Sequence, residues 1–297
     1  MRLNIRSTAS PGIPAYAAII ISVFLWGGSF AATRLGLGEL GVFSLMSLRF
    51  LTAGVLLAPF LPRFIRSLRK SFRKGDGKPL LIMVLLQPCL YFLFESNALR
   101  FTTASQAGVI SATVPLLTAL GAWMILKEAV SKRIIAGMVI AVGGIIVITL
   151  GGSPDSGAQK PLLGNLLELF AMTSAAGYLI AVRKLSSRYD TWLLTALQIY
   201  TGMIFFSPGL IITFQSGISV TELPLLSIIY LGAASSVAAF GLFNWGMKYV
   251  PAATASSFIN LIPVVAAFGA WLVLGEILSG LQTVGAGVVL AGVLISQ

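Results

Sequence analysis

The chain has 297 residues, 57% of them hydrophobic and 10% charged, with a mean hydropathy of +0.95. A soluble domain of this size needs far more charge to cover its outside, so the composition excludes a water-soluble fold and points to a membrane protein. The net charge of +11 would suggest nucleic acid in a soluble chain, but here the basic residues sit between apolar runs, which excludes nucleic acid as a partner and leaves the lipid bilayer.

Apolar runs of about 20 residues, the length that crosses a bilayer as helix, predict ten spans in chain order: 14–34, 42–61, 80–99, 104–126, 133–150, 162–182, 191–214, 223–246, 251–274 and 280–297. Arg2 and Arg6 precede the first, but its apolar run is too long for a cleaved signal and nine spans follow. Helix breakers fall where the chain is expected to turn: Pro59 and Pro62, Gly75-Asp76-Gly77, Gly151-Gly152-Ser153-Pro154 with Pro161, Pro224 and Pro251. Counted by alternate sides, sixteen Lys and Arg lie on the side of the N-terminus. The other side carries Arg34, Arg100 and Lys160, and Arg49 lies inside a span. The basic side is expected to face the cytoplasm, giving a multi-pass protein of the cell inner (plasma) membrane with both termini cytoplasmic.

The second half repeats the first. Gly121-Ala122-Trp123-Met124-Ile125-Leu126-Lys127-Glu128 recurs as Gly269-Ala270-Trp271-Leu272-Val273-Leu274-Gly275-Glu276, 148 residues on (Trp123 to Trp271), and at the same offset Pro115 meets Pro263 and Ala107 meets Ala255. Five spans per half is odd, so the halves enter the membrane in opposite senses. The expected fold is an all-α membrane protein, ten transmembrane helices as two inverted five-helix repeats (1–150 and 151–297) around a central cavity, an architecture that alternating-access carriers use.

Several chemistries are excluded. Gly36-Leu37-Gly38-Glu39-Leu40-Gly41 fits a dinucleotide fingerprint, but no strand precedes it and it lies in a short turn between spans. There is no nucleotide-binding lysine loop, and no histidine for a metal site, general base or catalytic triad. No cofactor, metal or catalytic residue is expected, and an enzyme is not. The single cysteine, Cys89, reads as a buried thiol.

What remains is polar groups at span depth, where each is costly and faces the bundle interior. Arg49, Glu95 and Glu168 fall at similar depth, about 7 to 11 Å from the less basic surface at about 1.5 Å per residue, close enough to meet. They are expected either to hold helices in register or to serve substrate or a coupling ion. If all three ionise, one negative charge is left over, which a proton or another cation would balance. Glu95 is the carboxylate expected to take that role, with Tyr91 and Asn97 near it on the same helix. The remaining candidates for substrate binding or coupling are Trp26, Phe30, Ser111, Tyr178, Gln198, Asn244 and Asn260. Trp123 and Trp271, near helix ends, fit interface anchoring. Spans five and ten carry small residues instead, Gly137-x-x-x-Ala141 and Gly287-x-x-x-Ala291, which predict close packing as scaffold or a homodimer through helices five and ten.

Trp26-Gly27-Gly28-Ser29-Phe30, Leu48-Arg49-Phe50, Ala98-Leu99-Arg100-Phe101-Thr102-Thr103-Ala104-Ser105 and the two segments ending at Glu128 and Glu276 together resemble the EamA-type branch of the drug/metabolite transporter superfamily. The resemblance covers essentially the whole chain. It implies a basket in which spans one to four and six to nine enclose the cavity, with five and ten outside. It also implies a secondary transporter, an exporter of small amphipathic metabolites such as amino acids or toxic compounds. The halves are chemically unequal, since Trp26 aligns with Ser174 and no arginine matches Arg49. The rival readings are a polytopic membrane enzyme and a non-transporting receptor or scaffold with a filled bundle.

Overall fold

The computed structural model describes residues 12–126, 131–152, 158–185, 188–217, 220–246, 249–250 and 258–296, and every regular element among them is helical. Seven helical runs are long and apolar enough to cross a bilayer: Ile13–Leu37, Val42–Ser71, Gly77–Ala98, Ala104–Gly121, Lys132–Leu150, Pro161–Val182 and Glu222–Gly246. An eighth is the pair Thr191–Phe205 and Pro208–Ser216. Two shorter apolar helices, Ile262–Leu274 and Gly280–Ser296, complete the order, and the ten are called spans 1 to 10 below. At about 1.5 Å per residue span 9 covers about 20 Å, short of a hydrocarbon core of roughly 30 Å; residues 251–257, where it was expected to start, lie outside the described residues.

Several spans differ from the straight runs expected, and prolines account for it. Span 2 does not stop near Pro59 and Pro62. Each enters the first turn of a new helical piece, where its missing N–H is an orphan in any case, and the helix runs on to Ser71 as a basic amphipathic segment, Leu61–Ser71. Span 7 bends by 48° where Pro208 restarts it. Span 4 breaks at Ala112–Thr113, ahead of Pro115, and the equivalent Asn260–Leu261 form the turn that leads into span 9, ahead of Pro263. Spans 3 and 8 both pass through π-helical stretches, Leu85–Leu90 and Tyr230–Ala239, that overlap under the 148-residue offset. In span 3 the cause is Pro88, which forces Gln87 to an extended φ −144, ψ 116.

The spans sort into sets. Span 1 packs on spans 8 and 9, span 6 packs on spans 3 and 4, the repeat exchanges these two sets, and the sets meet where span 9 packs on span 4. Spans 2 and 7 pair with each other beside both. Spans 5 and 10 pack along their full length outside this group, as expected. A Cβ on Gly144 would stand 2.7 Å from the Val289 amide nitrogen, one on Gly285 2.7 Å from that of Ile148, and one on Gly292 2.6 Å from the Gly137 carbonyl, so glycine is what lets the backbones meet. Gly137 and Ala141 lie in this contact, but Gly287 and Ala291 face outward. The face in use on span 10 is Gly285, Val289 and Gly292, spaced four and three apart on one side of the helix. The outer surface of the bundle is apolar, with Phe214 84%, Val139 68% and Phe268 58% exposed, as suits lipid contact. Trp123 and Trp271 also point outward.

Candidate functional site

Arg49 projects from span 2 into the middle of the bundle and is 1% exposed. Its Nε donates to Ser236 Oγ at 2.8 Å and one terminal nitrogen donates to Ser235 Oγ at 3.1 Å. Both serines sit on the π-helical stretch of span 8, whose widened turn presents two successive hydroxyls to one guanidinium. The guanidinium carbon lies 4.1 Å from the centroid of the Phe92 ring, a stabilising contact of about 2 kcal/mol when desolvated. The remaining nitrogen, Nη1, is buried without a partner. Arg49 is within electrostatic reach of Glu95, Tyr91 and Tyr230, yet among the described residues no carboxylate comes within 4.0 Å of it.

Glu95, 2% exposed, accepts a hydrogen bond from the Tyr91 hydroxyl at 2.6 Å, one helical turn away. Glu168 on span 6 is fully buried, both carboxylate oxygens lack a partner, and it lies in the field of Glu95. The three ionisable groups therefore form a row: Arg49, then Glu95 with Tyr91, then Glu168. They share one region, without the direct ion pair that a register-holding role would use.

A second polar cluster adjoins the row. The Tyr178 hydroxyl donates to Gln198 Oε1 at 3.2 Å, Gln198 Nε2 donates to the carbonyl of Gln87 at 3.4 Å, and Asn244 Nδ2 donates to Thr195 Oγ1 at 2.9 Å. Between the row and this cluster lies a cavity of about 10 Å³, lined by Phe50, Phe92, Gln198, Ser236 and Phe240, with room for a single water. Trp26 closes one side, its indole N–H donating to the Ser235 carbonyl at 3.3 Å and its ring 4.9 Å from those of Phe240 and Phe243.

Other expected residues do not join the site. Asn97 donates to the Leu93 carbonyl of its own helix, and Ser111 to that of Gly108. Phe30 is buried in the apolar cluster of spans 1, 4 and 9 that includes Leu99, Ala104 and Ala266. Asn260 sits in the turn that leads into span 9, its Oδ1 buried and unpartnered.

Three polar contacts at the bundle ends were not anticipated. At the less basic end, Glu276 accepts from the amides of Ala104 and Ser105 at 3.2 and 3.0 Å and from Ser105 Oγ at 3.1 Å. It thereby satisfies the first amides of span 4, and Thr103 Oγ1 accepts from the next, that of Gln106. Arg34 Nε lies 3.3 Å from Glu276, and Arg34 Nη1 donates to the carbonyls of Leu99, at 2.5 Å, and of Thr102. Gly275 places Glu276 there. Its left-handed φ of +67 ends span 9 with the Gly275 amide on the Trp271 carbonyl, the bond of an αL cap, and the Glu276 amide reaches back to the Ala270 carbonyl. At the same end Glu39 accepts from the amide and hydroxyl of Thr221, which hold its carboxyl below the usual carboxylate range. At the basic end Asp76 accepts from the Tyr189 hydroxyl at 2.7 Å and pairs with Arg188 at 3.0 Å. The Tyr189 hydrogen bond above all lowers the Asp76 carboxyl, while burial raises the Tyr189 phenol. The repeat carried one signal for these, the glycine at position 275 where the first half has Lys127. Glu128 lies outside the described residues.

The profile described as the EamA-like transporter family matches this chain twice, over residues 13–150 and 162–296. A Bacillus subtilis protein named "Uncharacterized transporter YcxC" is 28% identical over 96% of this chain and 93% of its own. A Streptantibioticus cattleyicolor protein named "Probable terminal-alkyne amino-acid exporter" is 26% identical over 94% of this chain and 91% of its own. A solved crystal structure aligns with a TM-score of 0.64 at 20% identity, covering 95% of this chain and 96% of that one, a likeness of fold.

Proposed function

The chain belongs to the EamA-like transporter family, and from that premise we propose that it is a secondary active exporter of small amphipathic metabolites, such as amino acids or toxic organic compounds, working by alternating access. The observation that carries this reading is the buried row in which Arg49 Nη1 and both oxygens of Glu168 lack partners. A buried polar atom left unpaired costs about 1–3 kcal/mol, more when charged, and persists where something else completes it during function. An amphipathic solute supplies what is missing: an anionic or polar head for Arg49, a cation or proton for the carboxylates, and an apolar body for Phe50, Phe92 and Phe240. The relative named as an amino-acid exporter fits this chemistry. With the basic end in the cytoplasm, the row lies nearer the outer surface and both termini are inside.

The cavity of about 10 Å³ fits an occluded stage closed to both sides. The same small volume favours a second reading, a non-transporting receptor or scaffold with a filled bundle. Counterflow in proteoliposomes without ATP, over a panel of amino acids, nucleobases and organic cations, separates the two. The carrier reading expects exchange of at least one solute class; folded protein that exchanges none supports the scaffold.

A further inference from the structure

The two helix sets, spans 1, 8 and 9 and spans 3, 4 and 6, are exchanged by the repeat, and in a carrier built from inverted repeats such sets rock against each other around a fixed site. Polar contacts at the bundle ends among the described residues can then be sorted by the sets they join. A contact within one set survives the motion. A contact between sets at one membrane face has to break whenever that face opens.

Glu39 follows span 1 and Thr221 precedes span 8, so their contact lies within one set. Asp76 precedes span 3 and Arg188 and Tyr189 follow span 6, so this clamp lies within the other. The repeat relates the two contacts: residue 39 shifted by 148 falls on 187, beside Arg188, and 221 falls on 73, three before Asp76. Arg34 and Glu276 behave differently. Arg34 belongs to span 1 and Glu276 follows span 9, and between them they hold the turn before span 4 and its first residues: the carbonyls of Leu99 and Thr102, the amides of Ala104 and Ser105, and Ser105 Oγ. Five hydrogen bonds thus cross between the sets at the outer face. One turn inward from Arg34, Phe30 sits in the apolar cluster with Leu99, Ala104 and Ala107, which seals the seam beneath the ionic layer. The side chains of Arg34 and Glu276 are 22% and 12% exposed, so water reaches their rim and can rehydrate them as the contact parts.

On the carrier reading above, we infer that Arg34 and Glu276 form the outer latch of the transport cycle, whereas the Glu39–Thr221 contact and the Asp76–Arg188–Tyr189 clamp keep each helix set rigid and stay closed throughout.

The test needs no transported solute. In a Cys89→Ala background, a reporter Ile199→Cys in the cavity wall is exposed to a membrane-impermeant maleimide added outside right-side-out proteoliposomes, and the labelling rate is measured. Glu276→Gln removes the charge that holds the amides of span 4 and is expected to speed labelling by about tenfold, as loss of a charge-assisted contact shifts a two-state opening. Glu39→Gln, a carboxylate at the same face but within one set, is expected to leave the rate within about twofold. Ser105→Ala deletes one hydroxyl donor, is expected to give about threefold, and carries the test if Glu276→Gln does not fold. Equal acceleration by the Glu276 and Glu39 variants, or none by Glu276→Gln and Ser105→Ala, overturns the latch. Latch-dependent labelling in a protein that exchanges no solute in counterflow would leave the latch standing and remove the carrier reading, so the two failures are distinct.

Discussion

Spans 5 and 10 and the eight spans beside them are made from the same apolar residues, yet they close in opposite ways. The pair closes by shape: glycines at 144, 285 and 292 bring backbone against backbone, with alanine, valine and isoleucine between them. The basket closes around polar groups that remain unfinished, with Arg49 Nη1 and the Glu168 carboxylate buried and unpaired. An interface closed by shape is already complete and gains nothing by moving. One that buries unpaired polar atoms has room for a further partner, and the proposed function puts the transport site there, with the pair as frame.

The largest expected effect tests the frame. In Gly144→Leu the new side chain starts 2.7 Å from backbone that cannot yield, and overpacking of this kind costs about 1–3 kcal/mol or more. Loss of the monodisperse peak in size-exclusion chromatography is expected, while Gly287→Leu, whose Cβ meets nothing within 4 Å, keeps it. Equal behaviour of the two variants would erase the distinction between the faces of span 10.

Arg49→Met and Glu168→Gln should show the reverse pattern. A buried charge costs stability unless it is paired, and among the described residues no carboxylate lies within 4.0 Å of Arg49, so the melting temperature of Arg49→Met is expected to hold while counterflow falls at least about tenfold. Glu168→Gln removes no hydrogen bond, so it is expected to keep its stability while counterflow falls. A collapse of folding in both, without a specific transport defect, would make the basket a frame like the pair.

The smallest effect sits outside the membrane. The Asp76 carboxyl is lowered by the Tyr189 hydroxyl, the Arg73 amide and Arg188. A carboxyl lowered by folding adds stability that is present above its unfolded value, about 3.9, and is lost as pH falls through the folded value. Asp76→Asn should therefore lower the melting temperature slightly at pH 7, with the difference from the parent protein shrinking below about pH 4. A difference that persists unchanged in acid would mean that the clamp acts by packing rather than charge.

The span order, the repeat and the place of spans 5 and 10 outside the basket were legible from apolar length, a recurring Gly-Ala-Trp…Glu string and small residues at helical spacing, although on span 10 the expected Gly287 and Ala291 face outward and Gly285, Val289 and Gly292 make the contact. That Arg49, Glu95 and Glu168 fall in one region followed from counting along helices. Their partners did not, because Ser235 and Ser236 reach Arg49 through a π-helical stretch that no periodicity reveals. Phe30 looked like a site residue by depth, but depth does not say which way a ring faces, and it faces the seam. The amide-capping role of Glu276 depends on a turn 171 residues away from it, a distance at which sequence spacing carries no signal.

The break in span 4 gives the outer latch a mechanical advantage. Ala104–Ser111 is an eight-residue lever, about 12 Å long, pivoting at Ala112–Thr113 with Ser105 at its free end. A tilt of about 20° at the pivot swings that end by about 4 Å, which takes the 3.0 Å and 3.2 Å bonds to Glu276 well past hydrogen-bonding range. Such a tilt adds to the rocking of the helix sets and asks no helix to unwind. The short arm multiplies the motion at the outer face, where Arg34 and Glu276 together hold it shut.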